Sequence, residues 1–477
     1  MVVKAFINKF LFISMFKIRF LQLSVLLISM QVFVIAVQAE QEGRNGRIHI
    51  SQLAADPVYA ALAMENHLSF GQAERGEKDN DAPPVHVDED TSAIGILHPF
   101  LQVEGKYVDN LYRLNDDSTD DFIMTLSPGL WLAAPRSRKR ILDIKIRNAR
   151  PGGLMTDLET GRSFQRLQTY LLATTDVVSY ARKSQNNFAG YTAEGFFQYN
   201  LPVGLRIEAA DQFHRSFEPF GVDGSGPGHL YKYNANIFLL SFKYNPGGQF
   251  RLQGDYSNFF LDYDDEIKNF NNRVDNGVNF YIWHDYSPKT SFFFNEKYVH
   301  LDFDTDRSKN SDQYDTSIGF RWLPSDKTRF RVKMGYVNRI YDDDTVPSAN
   351  GALVEMNAFY RFTIKTSLQL SAASLLNIPN ESVYNYRRDN LLRLMYLQEI
   401  TEKFIFGFSG KMGQLTYKGN RIAEREDNIY TIGPYIQYKM RDWLGARMGY
   451  TYEKRSSDLE RYDFTNNMVS LRIQASF

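Results

Sequence analysis

The sequence predicts an all-β fold: a closed, antiparallel transmembrane β-barrel of about eighteen strands, with sixteen to twenty as the bounds. Three observations predict it. From Leu97 to Phe477 the chain runs in segments of about ten to fifteen residues whose side chains alternate apolar and polar, the period of a strand with two different faces. The connections between segments alternate short and long. After Ala39 no run of 18 apolar residues occurs, so a membrane crossing has to be made by strands; only helices and closed barrels satisfy every backbone group in lipid.

Composition narrows the functional classes. Fifty-five basic against 56 acidic side chains give a net charge of −1, which removes a basic nucleic-acid footprint. The absence of cysteine excludes a disulfide framework, thiol catalysis, Cys-ligated zinc and a lipoprotein anchor. No cofactor or metal is called for. Aromatic residues are abundant, with 36 Phe, 29 Tyr and 4 Trp, as expected where rings gather at the edges of a bilayer.

The N-terminal 39 residues read as an export signal. Lys4, Lys9, Lys17 and Arg19 precede the apolar run Phe20–Met30, and Val37-Gln38-Ala39 offers compact residues for cleavage. The alternative is an uncleaved anchor, since Phe20–Val37 is nearly long enough to span; Met15 is a second candidate start. Residues 40–92 then form a periplasmic segment. Asp56-Pro57 is a helix start, and Gln72–Asp90 is charged and turn-rich. The segment reads as a tether, with a plug or docking helix as the alternative, and the barrel occupies 93–477.

The strands follow in order. Phe330, Val332, Met334 and Tyr336 share one face, opposite Arg329, Arg331, Lys333 and Gly335. Tyr314, Thr316, Ile318, Phe320 and Trp322 alternate with Asp315, Ser317, Gly319 and Arg321, and Val469–Phe477 alternates most regularly. Nineteen candidate segments emerge, and termini on one side require an even number. The ambiguity lies at 140–182, read as candidates 140–148 and 174–182 with 164–172 as a possible further strand. Treating that region as one interrupted excursion gives eighteen.

The two ends differ. Short turns such as Asn245–Gly248, Ser287–Thr290 and Pro324–Lys327 belong to one end, along with the basic Pro135–Arg140. Acidic loops, including Asp262–Glu266, Asp302, Asp304, Asp306 and Asp342–Asp344, belong to the other. The acidic rim suits solubility, or cation bridging to lipopolysaccharide phosphates. Short turns inside and long loops outside describe a barrel of a Gram-negative outer membrane. The expected partners are therefore outer-membrane lipid and lipopolysaccharide, and the assembly machinery that reads a terminal aromatic such as Phe477.

The first hairpin carries a resemblance. Pro99-Phe100-Leu101, Tyr107-Val108-Asp109-Asn110-Leu111-Tyr112, Asp121-Phe122-Ile123 and Leu126-Ser127-Pro128-Gly129-Leu130 together resemble the putative β-barrel porin type 2 family. The resemblance is specific over about 35 residues and architectural elsewhere, and Ala149–Ala173 is expanded relative to the family pattern. It implies a channel associated with exopolysaccharide or capsule export, with polysaccharide-export proteins as partners. Tyr107, Asp109, Asn110, Ser127, Pro128 and Gly129 read as structural, because Asp and Asn favour turns at a strand-to-loop junction.

Charges on the lipid face of a barrel cost roughly 2–4 kcal/mol for a midplane Arg or Lys. The strand charges are therefore assigned to the lumen: Asp143, Lys145, Arg147, Arg206, Glu208, Arg251, Asp255, Arg321, Arg329, Arg331, Lys333, Glu355, Arg361, Arg393, Glu399, Lys411, Arg447, Glu453 and Arg472. An arginine excess concentrates anions, including acidic polysaccharides; a ladder of cross-strand ion pairs is the alternative. An enzyme is not expected. His284 and Asp285 point to opposite faces, and His300, Asp302 and Asp304 share a face without a placed nucleophile. The expected function is an exopolysaccharide-export channel, with a general diffusion porin or a non-conducting docking barrel as alternatives.

Overall fold

The computed structural model describes residues 96–477 apart from 117, 136–143, 155–165, 219, 222–229, 421 and 442. The readings of a signal, a tether and the basic turn 136–140 lie outside the described residues, as does Asp143. Among the described residues eighteen strands run in sequence: β1 Leu97–Val108, β2 Asp121–Ala134, β3 Leu167–Tyr180, β4 Phe188–Asn200, β5 Leu205–Phe217, β6 Lys232–Tyr244, β7 Phe250–Tyr263, β8 Arg273–Ser287 and β9 Thr290–Phe303. They continue as β10 Ser311–Ser325, β11 Thr328–Tyr341, β12 Ala349–Thr363, β13 Thr366–Asn377, β14 Tyr386–Glu399, β15 Phe404–Lys418, β16 Arg425–Arg441, β17 Leu444–Ser457 and β18 Phe464–Ser476.

Each strand pairs antiparallel with its chain neighbour, and β1 also pairs with β18, Glu104 opposite Arg472, so the sheet closes. Closure removes the unpaired edges that a sheet would otherwise expose to lipid. Connections of two residues, such as 288–289, 326–327 and 364–365, mark one end, where β1 also begins and β18 ends. The loops 109–120, 218–231, 264–272 and 378–385 mark the other.

The alternation sorts the faces. Leu126, Val278, Phe294, Ile318, Met334, Ile432, Met448 and Leu471 are exposed on the outer surface. Rings gather in two outer bands. Phe250, Phe292, Trp322, Tyr360, Phe404, Trp443 and Phe477 sit near the short turns, and Tyr107, Phe122, Tyr191, Tyr336, Tyr430 and Tyr450 sit nearer the long loops. These are the girdles expected where strands cross the two bilayer interfaces.

One region departs from the sequence reading. Segment 140–148 is not a strand: its described part, from Ile144, belongs to a hairpin that folds into the barrel. The candidates 164–172 and 174–182 are one continuous strand, β3. Lys145 and Arg147 therefore sit on the hairpin and not on the wall. The apolar cluster on the inner faces of β2–β7, including Trp131, Tyr170, Phe196, Ile237 and Phe259, would be a poor surface for water, and covering it stabilises the hairpin inside.

Candidate channel interior

The inward hairpin is built from Ile144 to Leu154, with Ile146 bridged antiparallel to Leu154. Its turn closes through Arg147 N–H to the Gly153 carbonyl at 2.7 Å and Gly153 N–H to Arg150 at 2.9 Å. Gly152 and Gly153 have φ of 77° and 72°, a region that suits glycine because it lacks Cβ. At Gly153 a side chain would also run into the Phe259 ring.

Ile144 and Ile146 pack in one cluster with Trp131, Tyr170, Leu172, Phe196, Tyr233, Ile237, Leu239, Phe259 and Leu261. Polar pins fix the tip. Asp275, fully buried, accepts the Gly152 N–H at 2.9 Å and Arg273 Nε at 3.1 Å, and Arg273 also donates to the Asn148 carbonyl. Ile378 N–H donates to Ala149 at 2.7 Å, and Gln212 donates to Ile144 at 2.8 Å. The hairpin leaves from the short-turn end, after β2, and its tip reaches residues at the long-loop ends of β7 and β8. It runs through much of the barrel's height.

The interior is thus two-sided. Charge lines the inner face from β10 round to β18 and also the short-turn parts of β5–β7. Arg206, Glu208, Arg251, Asp255, Arg321, Arg329, Arg331, Lys333, Glu355, Arg361, Arg393, Lys411, Arg447 and Arg472 all occupy the inward parity of their strands, opposite the exposed apolar set. So do Glu399 and Glu453. Cations face cations across four registers: Arg206 and Lys243, Arg321 and Arg331, Arg393 and Lys411, Arg447 and Arg472.

Carboxylates wedge into two of these registers. Glu208 bonds Lys243 at 2.8 Å and Arg206 at 3.4 Å, and Glu104 bonds Arg472 at 2.5 Å. A space open to the lumen lies between the hairpin and the wall, lined by Arg150, Glu208, Asp255, Asp315, Lys333 and Glu355 among others. Lys333 and Glu355 approach to 3.9 Å.

Loops fold over the long-loop mouth. Lys268 reaches Glu218 at 3.4 Å and the Asn380 carbonyl at 3.1 Å. Arg425, fully buried, lies between the Tyr417 and Tyr462 rings at 3.7 and 3.8 Å. It holds Glu381 at 2.5 Å and Asp427 at 3.1 Å. Tyr462 donates its O–H to Glu381 at 2.7 Å; burial and that carboxylate push its phenol up to about 12, so it remains a donor. Asp306 lies 3.4 Å from Lys309, whose ammonium burial holds below the usual lysine range.

The first-hairpin residues stitch the seam between β1 and β18. Asp109 accepts Asn467 N–H at 2.7 Å and its side-chain amide at 2.6 Å, and Asn110 donates to Leu114 and Thr465 carbonyls. Tyr107 donates to Asp120 at 3.2 Å, and Ser127 to Asp176 at 2.5 Å. Pro128 accepts from Thr174, and the space a side chain would fill at Gly129 holds the Phe100 ring. Phe477 stacks on Trp443 at 5.6 Å and donates its N–H to Pro99. His300 bonds Asp312 at 2.8 Å on the outer face; Asp304 lies beyond β9.

Residues 163–477, spanning β3 to β18, match the family described as Putative beta-barrel porin 2. The chain belongs to that family. The matched span begins after the first hairpin, on whose residues the sequence resemblance rests. Family and closed barrel together mark this porin as an outer-membrane channel of a Gram-negative bacterium, and point away from an enzyme.

No curated protein matches the porin's sequence. Similar solved structures include Pseudomonas aeruginosa OpdK with vanillate, at 8% identity and a TM-score of 0.43, covering 80% of this chain and 99% of that one. Acinetobacter baumannii OccAB3, at 10% identity and 0.43, covers 80% and 99%. Pseudomonas aeruginosa OpdL, at 11% and 0.42, covers 80% and 98%.

The sequence reading missed the hairpin. Two signals pointed to it. Gly152-Gly153 marks a tight turn, and Ile237-Phe238-Leu239-Leu240 is apolar on both faces of β6. A strand that is apolar on both sides is covered on both sides.

Proposed function

We propose that this porin is a diffusion channel for small anionic solutes, narrowed by the inward hairpin. The observation that carries the reading is the set of cations facing cations across the inner wall. Like charges directly opposite one another in a sheet are destabilising. Glu208 joins the register at Arg206–Lys243 and Glu104 the one at Arg447–Arg472, and Arg321–Arg331 and Arg393–Lys411 add further cationic registers to the inner wall. A low-dielectric wall focuses such a field into the lumen and raises the local concentration of anions.

Exopolysaccharide export, which the family resemblance implies, fits the docked hairpin less well. A polymer needs a continuous wide path, and the hairpin, Glu218, Phe220 and the loop 378–385 take up lumenal space. The test is the reversal potential of the refolded chain in a planar bilayer under a KCl gradient. Chloride preference is expected. Potassium preference, or a folded barrel that does not conduct, would overturn the proposal.

A further inference from the structure

We propose that Lys297 and Asp315, directly opposite each other on the lumenal wall, form a binding site for α-amino acids in the space between the inward hairpin and the wall. The site refines the solute class of the anion channel proposed above and rests on that reading: of the carboxylates drawn in by the cationic wall, it favours those that also carry an ammonium group.

The register places it. Lys297 lies midway along β9, opposite Asp315 on β10 and Asn279 on β8. Lys297 and Asp315 both line the space beside the hairpin tip. Ser257 and Gly277 face each other on β7 and β8 and keep that part of the wall free of bulk; a side chain at Gly277 would run into Ser257.

The lining is mixed in charge. Three cations, Arg150, Lys297 and Lys333, stand with four carboxylates, Glu208, Asp255, Asp315 and Glu355. Most of these are engaged by the chain. Glu208 holds Lys243 and Arg206, and Lys333 approaches Glu355. Asp255 accepts from Ser241 at 2.5 Å, Gln253 at 2.9 Å and Asn279 at 3.2 Å. Lys297 and Asp315 differ. Opposite charges facing each other across an antiparallel register ordinarily pair, yet these two form no ion pair. Among the described residues the Lys297 ammonium has no hydrogen-bond or ion-pair partner.

Asp315 is aimed in advance. Gln313 donates to one of its oxygens at 2.9 Å, and Gln313 itself accepts from Arg339 at 3.0 and 2.7 Å. The other Asp315 oxygen accepts no hydrogen bond among the described residues. A group already held in place costs little ordering on binding. An α-amino acid carries on one carbon the two charges that this wall leaves apart. Its carboxylate would accept from Lys297 and its ammonium would donate to Asp315, both as charge-assisted bonds. A plain dicarboxylate would satisfy Lys297 alone and be repelled by Asp315.

The experiment is single-channel recording in KCl with glutamate, compared with glutarate, the same diacid without its amino group. Glutarate bears the greater negative charge, so a general field favours glutarate and the site favours glutamate. Wild type should be blocked by glutamate at about tenfold lower concentration than by glutarate, the effect of one charge-assisted contact. D315N should abolish that preference by weakening glutamate block about tenfold, with glutarate block no weaker. K297Q should weaken block by both solutes about tenfold. R361Q, which removes a lumenal charge outside the lining, should hold the preference within about threefold.

Each variant is first checked for a heat-modifiable folded band. If D315N does not assemble, K297Q and the wild-type comparison of the two solutes carry the test. Glutarate blocking wild type as strongly as glutamate, or no block by either, would overturn the site. Unchanged preference in D315N, or unchanged block in K297Q, would do the same. These results leave the anion channel standing, whereas potassium preference in wild type removes the channel reading itself.

Discussion

Replacing Gly153 by valine should unlock the inward hairpin, and the size of the effect can be worked from its surroundings. Gly153 has φ of 72°, where a β-branched side chain costs about 1–2 kcal/mol. The new side chain would also meet the Phe259 ring, which is fully buried in the inner wall, and overpacking of that kind costs about 1–3 kcal/mol. The hairpin has a low-cost escape, because it is an insertion between β2 and β3 and carries none of the barrel's ladder. The penalty should therefore fall on docking and leave closure intact. At about 4 kcal/mol the undocked population rises about a thousandfold, tenfold for each 1.4 kcal/mol. The assay is single-channel recording: wild type should dwell in a low-conductance state with rare larger openings, and Gly153→Val should lengthen the time in the larger state by about that factor. A folded Gly153→Val barrel with wild-type conductance and dwell times would refute the idea that this hairpin sets the constriction.

Two further expectations follow from single contacts. Arg425→Ala removes the cation between Tyr417 and Tyr462 and leaves Asp427 buried without it, a loss of about 3–5 kcal/mol; thermal unfolding should start earlier and protease should cut loop 378–385 faster, and unchanged cleavage would show that Glu381 is held by other means. Deleting Phe477 removes the stack on Trp443 and the bond to Pro99 at the barrel seam; the heat-modifiable form recovered from the outer membrane should fall severalfold, and a normal yield would remove its role as an assembly signal.

The barrel was legible because alternation is a local property. Arg329, Arg331 and Lys333 occupy one parity and Phe330, Val332 and Met334 the other, and lipid on one side leaves no other assignment. The same rule assigns the wall charges to one parity without any contact being known, though Lys145 and Arg147 fall on the hairpin instead. It failed at 140–182, and it did not reveal what covers the inner faces of β2–β7, because period 2 identifies a strand's faces only when those faces meet different surroundings. Leu239 and Leu240 are both apolar, one turned to the hairpin cluster and one to the outer surface. The hairpin has short extended arms around a glycine turn, so Ile144–Asn148 imitates a wall strand; what it lacks is a partner of barrel length. Partnership is a long-range fact, and one sequence carries no trace of it. The pairing of Asp109 with Asn467 across the seam was invisible for the same reason.

The position of the hairpin decides how the two readings of the lumen relate. It enters from the short-turn end, yet its tip is fixed at the long-loop end by Asp275 on the wall and by Ile378, the first residue of loop 378–385. That loop is in turn held by Arg425 through Glu381 and by Lys268 through Asn380. One connected set of contacts therefore links the loops at one mouth to a chain segment that leaves through the other. With every contact made, the remaining space suits small solutes passing the cationic wall. Passage of a polymer would require the tip to leave Asp275 and Ile378 together, and the apolar inner faces of β2–β7 would then be wetted. Those faces are large, so the exposure costs more than any single hydrogen bond at the tip. On the proposed reading small-solute conduction belongs to the docked hairpin, and a wider passage would need an external source of free energy to hold the hairpin out.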